Sequence, residues 1–171
     1  MTPNTELQDE FLALLNAHRA LLYNVTRIYG HSPVDRDDLA QEAIANLWRA
    51  YPRYDARLKF STWMYRIALN VAISWRRRER AQTRHLVPVG QEVLENVREL
   101  SASSQSEDVA LLYAKIRQLD DLDRALMMLY LDGLSHEDIS EVLGITRTNV
   151  ATKISRLKVR LREEFRAAGQ V

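Results

Sequence analysis

The sequence predicts an all-α protein with two small helical domains, joined by a flexible linker, the C-terminal one containing a helix-turn-helix. Apolar residues recur every three or four positions through most of the chain, which is the spacing of one helix face. This pattern is lost over residues 81–106, a stretch that contains Pro88 and Gly90 and ends in SASSQS. The predicted boundaries are therefore 1–80 for the N-terminal domain and 107–171 for the C-terminal domain.

Residues 134–162 have the sequence pattern of a helix-turn-helix. Ser135 and Asp138 have the spacing of a capping box at the start of a short first helix. Gly144 follows at the position where a left-handed residue commonly ends a helix, and Thr146 can cap a second helix. The second helix has one apolar stripe, formed by Val150, Ile154, Leu157 and Leu161.

The second helix of this motif is strongly basic, with arginines and lysines but no acid between residues 147 and 162. Such a helix can enter a major groove while its cations neutralise phosphates. The alternative is a pair of surface helices with a solvated basic face. DNA binding is favoured because the helix caps, the glycine turn, the apolar stripe and the basic charge all agree with a helix-turn-helix. The net charge of +1 is compatible with this, because residues 107–141 hold nine acids against three bases.

Three long helices are predicted in the N-terminal domain, over residues 7–29, over 35–51, and from Ser61 as a cap to about Arg80. His18 is interpreted as a plain helix-face residue, and Pro33 as a turn or first-turn residue. The third helix is predicted to bury Met64, Ile67, Ala68, Val71 and Trp75. Its second face carries Trp63, Arg66, Asn70, Ser74 and Arg77.

This second face and the loop before it are typical of single-stranded DNA binding, in which bases stack on rings and cations follow phosphates. Residues 52–60 supply Arg53, Tyr54, Arg57, Lys59 and Phe60. The basic run over residues 75–80 extends the cationic surface. The alternative is that Trp63 belongs to the core and the arginines only solubilise the end of the helix.

Enzymatic chemistry finds no support in the sequence. The absence of cysteine excludes disulfides, thiol redox chemistry and cysteine-ligated zinc. His136 and Glu137 begin like a zinc-protease motif, but Ser140 stands where the second histidine is required. The scattered glycines form no phosphate-binding loop. We therefore expect no catalytic residue, no metal and no cofactor, and a nucleic-acid enzyme is disfavoured.

The chain has no run of about 18 apolar residues, so we expect no membrane span. Its N-terminus is polar and acidic, unlike a secretory signal. Together with the lack of cysteine, these features predict a cytoplasmic protein.

Three segments together resemble bacterial RNA polymerase sigma factors. They are DLAQEAIANLWRAYPRYD at 38–55, FSTWMYRIALNVAISWRRR at 60–78, and LYLDGLSHEDISEVLGITRTNVATKISRLKVRLRE at 129–163. The chain length and the short linker indicate the extracytoplasmic-function group, which has only two DNA-binding helical domains. The resemblance implies binding to core RNA polymerase and to promoter DNA, both as duplex and as melted single strand. An anti-sigma factor is a common further partner in this family.

The resemblance also implies roles for individual residues. Those implied in core-polymerase binding are Asp38, Gln41, Glu42, Leu47 and Trp48. Those implied in binding the minus-ten element are Arg53, Tyr54, Arg57, Lys59, Phe60, Trp63, Arg66, Asn70 and Arg77. Those implied in binding the minus-thirty-five element are Arg147, Thr148, Ala151, Thr152, Lys153, Ser155 and Arg156.

Three positions depart from the family pattern: Ser74 replaces a frequent aspartate, Ala151 a common lysine and Lys153 a common arginine. These departures affect which promoter sequence the protein is expected to recognise, and they do not change the class of protein that the resemblance implies. The alternative function is a stand-alone helix-turn-helix regulator that binds duplex DNA without polymerase. A regulator of this kind would give no function to the face that carries Trp63 and Asn70, or to the acidic residues of the helix predicted over 35–51.

Overall fold

The structure of the protein, a computed structural model, describes residues 3–83 and 106–169. They belong to two compact units, Met1–Leu86 and Val87–Val171. Most of the predicted linker, residues 84–105, lies outside the described residues. The described residues contain helices and no strand, so the all-α prediction is confirmed.

In the N-terminal unit, the described helices are α1 (Pro3–Ala17), α2 (Arg19–Tyr29), α3 (Pro33–Ala50) and α4 (Phe60–Thr83). A 3₁₀ turn, Tyr51–Arg53, follows α3 directly. In the C-terminal unit, they are α5 (Glu107–Arg117), α6 (Asp121–Leu131), α7 (His136–Leu143) and α8 (Arg147–Ala168).

The single helix predicted over residues 7–29 is wrong, because the chain breaks at His18 into α1 and α2. The backbone N–H of His18 is shared between the carbonyls of Leu14 and Leu15, each 3.2 Å away, and its ring Nδ1 lies 2.9 Å from the Leu14 oxygen. The ring also packs against Phe60, with 5.0 Å between the ring centres. His18 is therefore a junction residue held by a tertiary contact, rather than a plain helix-face residue.

A complete capping box starts α3 two residues earlier than predicted. The Asp35 backbone N–H donates to the Ser32 hydroxyl at 3.1 Å, and the Ser32 N–H donates to the Asp35 carboxylate at 3.0 Å. Pro33 occupies the first turn, where its missing N–H costs nothing, so its predicted first-turn position is confirmed. Leu39, Ala43 and Leu47 are fully buried and hold α3 on the unit.

Helix α4 packs against both α2 and α3, and this double packing changes the face that it buries. It begins at Phe60, so the predicted cap at Ser61 is wrong, and the Trp63 N–H donates to the Lys59 carbonyl at 3.1 Å. Its fully or nearly buried residues include Met64, Tyr65, Ala68, Leu69 and Ala72. The predicted core residues Ile67, Val71 and Trp75 are only half-buried. The core face is thus rotated by roughly a quarter turn from the predicted one.

Arg124 is completely buried in the C-terminal unit. Its guanidinium donates hydrogen bonds to the backbone carbonyls of Arg117 and Leu119, the latter at 3.1 Å. These carbonyls lie at and just beyond the end of α5, where backbone acceptors lack helical partners and a cation is favourable. Arg124 therefore joins α6 to the end of α5, a role that the sequence pattern did not indicate.

The helix-turn-helix is present with its predicted caps. The Ser135 hydroxyl accepts the Asp138 N–H at 3.1 Å and lies 2.9 Å from the Asp138 carboxylate. Gly144 has a φ of 68°, the predicted left-handed conformation. Thr146 accepts the Asn149 N–H at 3.1 Å and begins α8. The predicted stripe of Val150, Ile154, Leu157 and Leu161 is buried.

We predict that Gly144→Ala lowers the free energy of unfolding of the C-terminal unit by about 1–2 kcal/mol, the cost of a left-handed residue with a side chain. An added Cβ meets no atom within 4 Å, so backbone strain is the whole cost. Urea unfolding of the full chain, followed by the NMR amide signals of α8, measures the change. Gly169→Ala is the control, because Gly169 has a φ of −82°. Equal stability of the two variants would contradict the prediction.

Candidate nucleic-acid interface

Four aromatic rings form a cluster between the end of α3 and the start of α4. Trp63 lies 4.9 Å from Tyr54 and 5.3 Å from Phe60, measured between ring centres. Tyr51 stacks on Tyr54 at 6.0 Å. Tyr51 and Phe60 are buried, whereas Tyr54 and Trp63 are half-buried and keep part of their rings accessible. We call these four residues the aromatic cluster.

The loop that leads into α4 is held by local hydrogen bonds. The Tyr54 hydroxyl donates to the Leu58 carbonyl at 2.6 Å. The Arg57 guanidinium donates to both carboxylate oxygens of Asp55, at 3.0 Å from Nε to Oδ1 and at 2.7 Å from Nη2 to Oδ2. Hydrogen bonds from the Arg57 side chain and backbone hold the pKa of Asp55 below its ordinary value. The loop is therefore ordered although the Arg57 side chain is 91% exposed.

The outer face of α4 is polar and cationic. Arg66, Asn70, Ser74 and Arg77 are all exposed and lie on one side of the helix, beyond Trp63. In the basic run after them, Arg77, Arg78 and Arg80 are exposed, but Arg76 is only 8% exposed. Arg76 therefore does not extend the cationic surface as predicted, because the rotation of α4 turns it toward the core. Arg53 and Lys59 are exposed in the adjoining loop.

The five residues of α3 assigned to polymerase binding differ in exposure. Asp38 and Gln41 are exposed, and Glu42 is half-buried and accepts a hydrogen bond from Arg78 at 2.6 Å. Leu47 has no exposed surface at all, so it anchors the helix and cannot itself contact a partner in this structure. Trp48 is half-buried and packs against Phe11 of α1, with 5.2 Å between ring centres.

A largely apolar groove of about 330 Å³ lies between α1 and α3, beside this surface. Gln41, Ile44 and Trp48 line it from α3, while Phe11 and Leu12 line it from α1. Leu12 is 48% exposed, which is unusual for a residue of that size in a packed helix. No functional residue was predicted in α1 from the sequence. The one feature of the sequence that could have indicated this groove is that Leu12 lies outside the apolar stripe of α1.

The start of α8 presents most of its assigned residues outward. Arg147, Thr148, Thr152, Ser155 and Arg156 are exposed, and Ala151 is half-buried. Arg147 lies 3.7 Å from Glu137 of α7, on the surface of the motif. Lys153 differs, because it is half-buried and its ammonium lies 3.6 Å from Asp123 of α6. Lys153 is thus oriented toward the unit itself rather than toward the outer face.

Within residues 3–83 and 106–169, no group of three or more metal-ligating side chains could hold an ion. No helix in that part of the chain is long and apolar enough to cross a membrane. The units present two surfaces suited to nucleic acid, an aromatic and cationic one in the N-terminal unit and a helix-turn-helix in the other. Surfaces of both kinds are typical of DNA-binding proteins.

Comparison with known proteins identifies the family. Residues 14–82 match Sigma-70 region 2, and residues 110–161 match Sigma-70, region 4. The chain is 31% identical over 170 residues to the ECF RNA polymerase sigma factor SigW of Bacillus subtilis, covering 93% of this chain and 90% of SigW. It is 27% identical over 161 residues to the RNA polymerase sigma factor NccH of Alcaligenes xylosoxydans xylosoxydans, covering 90% of this chain and 86% of NccH.

Two solved structures share the fold. CnrH, in complex with the cytosolic domain of CnrY, superimposes with a TM-score of 0.68 at 22% identity, covering 94% of this chain and 90% of CnrH. The sigma factor RpoE of Bartonella quintana, in complex with the anti-sigma factor NepR, has a TM-score of 0.63 at 18% identity, covering 94% and 97% of the two chains.

The chain belongs to the ECF RNA polymerase sigma factors. It is a transcription initiation factor that binds core RNA polymerase, directs it to promoters and promotes DNA melting. The stand-alone regulator is not favoured, because the sigma-family match includes the N-terminal unit as well as the helix-turn-helix.

We predict that the Asp55 carboxyl titrates below its ordinary range because the Arg57 hydrogen bonds stabilise its charged form. The folded-state pKa is depressed, so the pairing is complete above the ordinary pKa and is lost as pH falls through the folded one. Carboxyl ¹³C NMR measures this titration directly. In Arg57→Gln the pKa of Asp55 should return toward its ordinary value, and identical titration curves in both proteins would refute the pairing.

Proposed function

We propose that the outward face of α3 with its apolar groove binds core polymerase, and that the aromatic cluster with the outer face of α4 holds the melted minus-ten strand. The start of α8 recognises the minus-thirty-five element as duplex. The observation that carries this proposal is the ordered aromatic cluster, because its half-buried rings adjoin an exposed face of amide and guanidinium groups. Like the rest of its family, the chain acts in the cytoplasm as an initiation factor without catalysis of its own.

The aromatic cluster suits the capture of an unstacked base. Tyr54 and Trp63 keep accessible ring surface on which a base can stack, while Phe60 supports them from the core. Extruding a base from a duplex costs a few kcal/mol, which stacking and hydrogen bonds must offset. The Asn70 amide can donate to and accept from a base edge. Arg66 lies one helical turn before Asn70, where its guanidinium can contact the phosphate backbone of the DNA strand.

The ordered loop lowers the cost of this capture. A mobile loop would lose conformational freedom on binding the strand, and each immobilised side chain would cost about 0.5–1.5 kcal/mol. Here the Tyr54–Leu58 hydrogen bond and the Asp55–Arg57 pair order the loop before DNA arrives. Arg57 stays almost wholly exposed within that pair and can still approach a phosphate.

Polymerase docking combines apolar and acidic contacts on α3. The groove accepts apolar side chains, while Asp38 and Glu42 supply negative charge beside it. A complementary partner segment is therefore a helix with an apolar ridge and basic flanks. Glu42 is already paired with Arg78, so the partner must replace an intramolecular contact.

We further propose an anti-sigma factor as a regulatory partner. The Bartonella RpoE shares this fold and was solved in complex with the anti-sigma factor NepR, and CnrH, which also shares it, was solved in complex with the cytosolic domain of CnrY. Control by a separate protein suits a chain whose described residues all belong to the two sigma-type units. An anti-sigma factor that covers the groove or α8 would prevent polymerase or promoter binding.

Run-off transcription with purified core polymerase on a library of promoter fragments tests the whole proposal. Specific transcripts that appear only with this protein are expected. If none appears, a core-binding assay separates two cases. Binding without transcripts would point to a missing promoter or activator. Absence of binding would contradict the sigma role and favour the stand-alone regulator.

We predict that Asn70→Ala reduces open-complex formation roughly 2- to 10-fold, the loss expected for one hydrogen bond to a base. Asn70 is exposed, so the melting temperature should not change. Permanganate footprinting of the melted strand in the holoenzyme measures the effect. Asn16→Ala is the matched control, because it removes an exposed amide from α1.

Trp63→Ala should lower both opening and stability, since Trp63 packs on three rings.

We predict that Arg78→Gln strengthens binding to core polymerase up to about fivefold, because Glu42 loses an exposed partner worth about 0.2–1 kcal/mol. The gain should shrink as salt is raised. Titration of labelled full-length chain with core polymerase, without DNA, measures the affinity. Arg80→Gln removes the same charge near the end of α4 and serves as control. If both variants bind alike, Glu42 does not take part in docking.

A further inference from the structure

Helix α1 contacts the aromatic cluster through a single buried ring. Among the α1 side chains that the structure describes, Phe11 alone is buried. Its ring contacts both Trp48 and Tyr51, with 5.2 Å and 5.1 Å between ring centres. Trp48 was assigned to polymerase binding, whereas Tyr51 is a member of the aromatic cluster. No role for Phe11 was predicted from the sequence, and its contact with Tyr51 is not explained by docking on α3.

Tyr51 connects α1 to the accessible rings of the aromatic cluster. Its ring lies 6.0 Å from Tyr54, with 15° between the two planes, and 6.2 Å from Trp63. Tyr51 is only 5% exposed, so it cannot offer a face of its own to a base. Tyr54 and Trp63 keep accessible surface, and Tyr51 packs behind both of them. The position of Tyr51 therefore affects where those two rings lie.

The hydroxyl of Tyr51 is held from α1 as well. Burial raises the pKa of Tyr51 above its ordinary value, and the charge of Glu10 and a hydrogen bond with Glu10 raise it further. The phenol therefore stays protonated at neutral pH and can donate to the carboxylate. Glu10 directly precedes Phe11, so one turn of α1 holds Tyr51 at its ring and at its hydroxyl.

The other buried ring of the cluster, Phe60, is contacted from the same segment of the chain. His18, directly after α1, lies 5.0 Å from Phe60 between ring centres. Its ring Nδ1 lies 2.9 Å from the Leu14 carbonyl oxygen, which fixes the orientation of the ring. Phe60 in turn lies 5.3 Å from Trp63. Both buried rings of the aromatic cluster thus have a partner within residues 10–18.

We propose that Phe11 and Glu10 are positioning residues for capture of the minus-ten strand, and that they act through Tyr51. A ring that can reorient must be fixed when a base stacks on it, and this ordering lowers affinity. Contacts that fix the ring before DNA arrives remove that loss. Phe11 and Glu10 supply such contacts from α1, a helix outside the proposed DNA-binding surface. The inference rests on the proposed function of the aromatic cluster.

The test measures strand capture by holoenzyme formed at saturating core polymerase, so that a change in docking does not enter the result. The probe is a fluorescein-labelled single strand that carries the minus-ten element of a promoter selected in the run-off library. Phe11→Leu removes the ring, keeps an apolar side chain and should lower affinity roughly 2- to 10-fold, the range for one aromatic pair. Glu10→Ala should also lower affinity, whereas Glu10→Gln keeps an acceptor and should restore most of it.

A matched control and a second readout separate positioning from a loss of stability. Leu7→Ala removes a half-buried side chain one turn before Phe11 and keeps the Phe11–Tyr51 contact. It should lower the melting temperature and leave strand affinity unchanged. The second readout is the ring proton NMR signals of Tyr54 in the free full-length chain, which respond to the stacked ring of Tyr51. Phe11→Leu and Glu10→Ala should shift these signals, and Leu7→Ala should not.

The outcomes separate this inference from the proposed function. If Phe11→Leu and Glu10→Ala captured the strand as the wild type does, while Trp63→Ala lost it, the inference would be overturned and the proposed function would stand. An equal loss of affinity in Leu7→Ala and Phe11→Leu would also overturn the inference, because both would then act through stability. A wild-type holoenzyme that bound the minus-ten strand no better than a scrambled strand would contradict the proposed function, and the inference with it.

Discussion

Burial of one apolar side determines what most of these helices present to a partner. In α8 the stripe from Val150 to Leu161 is removed from water, and this fixes the rotation of the helix about its axis. Arg147 and Arg156 then lie outward because the rotation of the helix places them opposite its buried stripe. The same holds in α4, where burial of Ala68 and its neighbours directs Asn70 to solvent. The recognition surfaces are thus consequences of hydrophobic packing.

Packing alone does not order the loop between α3 and α4 of the N-terminal unit. Leu58 of that loop is 42% exposed, and the loop is held by the Tyr54 hydrogen bond and by the pair of Asp55 with Arg57. The aromatic cluster links it to the core through Phe60, which also contacts the junction residue His18. A binding loop fixed in this way combines two properties that usually oppose each other, exposure to a ligand and a defined shape.

Some of the charges on the functional surfaces are paired within the chain. Glu42 pairs with Arg78, and Arg147 lies near Glu137. Such exposed pairs contribute little to stability, but a partner must compete with them, so they moderate affinity and increase its dependence on salt. Lys158 differs because its partner is the phenol of Tyr130.

Local chemistry in the sequence was sufficient to predict the all-α fold, the helix-turn-helix with Gly144 and Thr146, and the exposed faces of α4 and α8. These features depend on periodicity and on hydrogen bonds between residues three or four positions apart. Only the tertiary structure decided the break at His18, the rotation of α4, the burial of Arg76 and the groove between α1 and α3. Each of these arises where helices distant in the chain meet, and a single helix pattern does not reveal which neighbours will cover it.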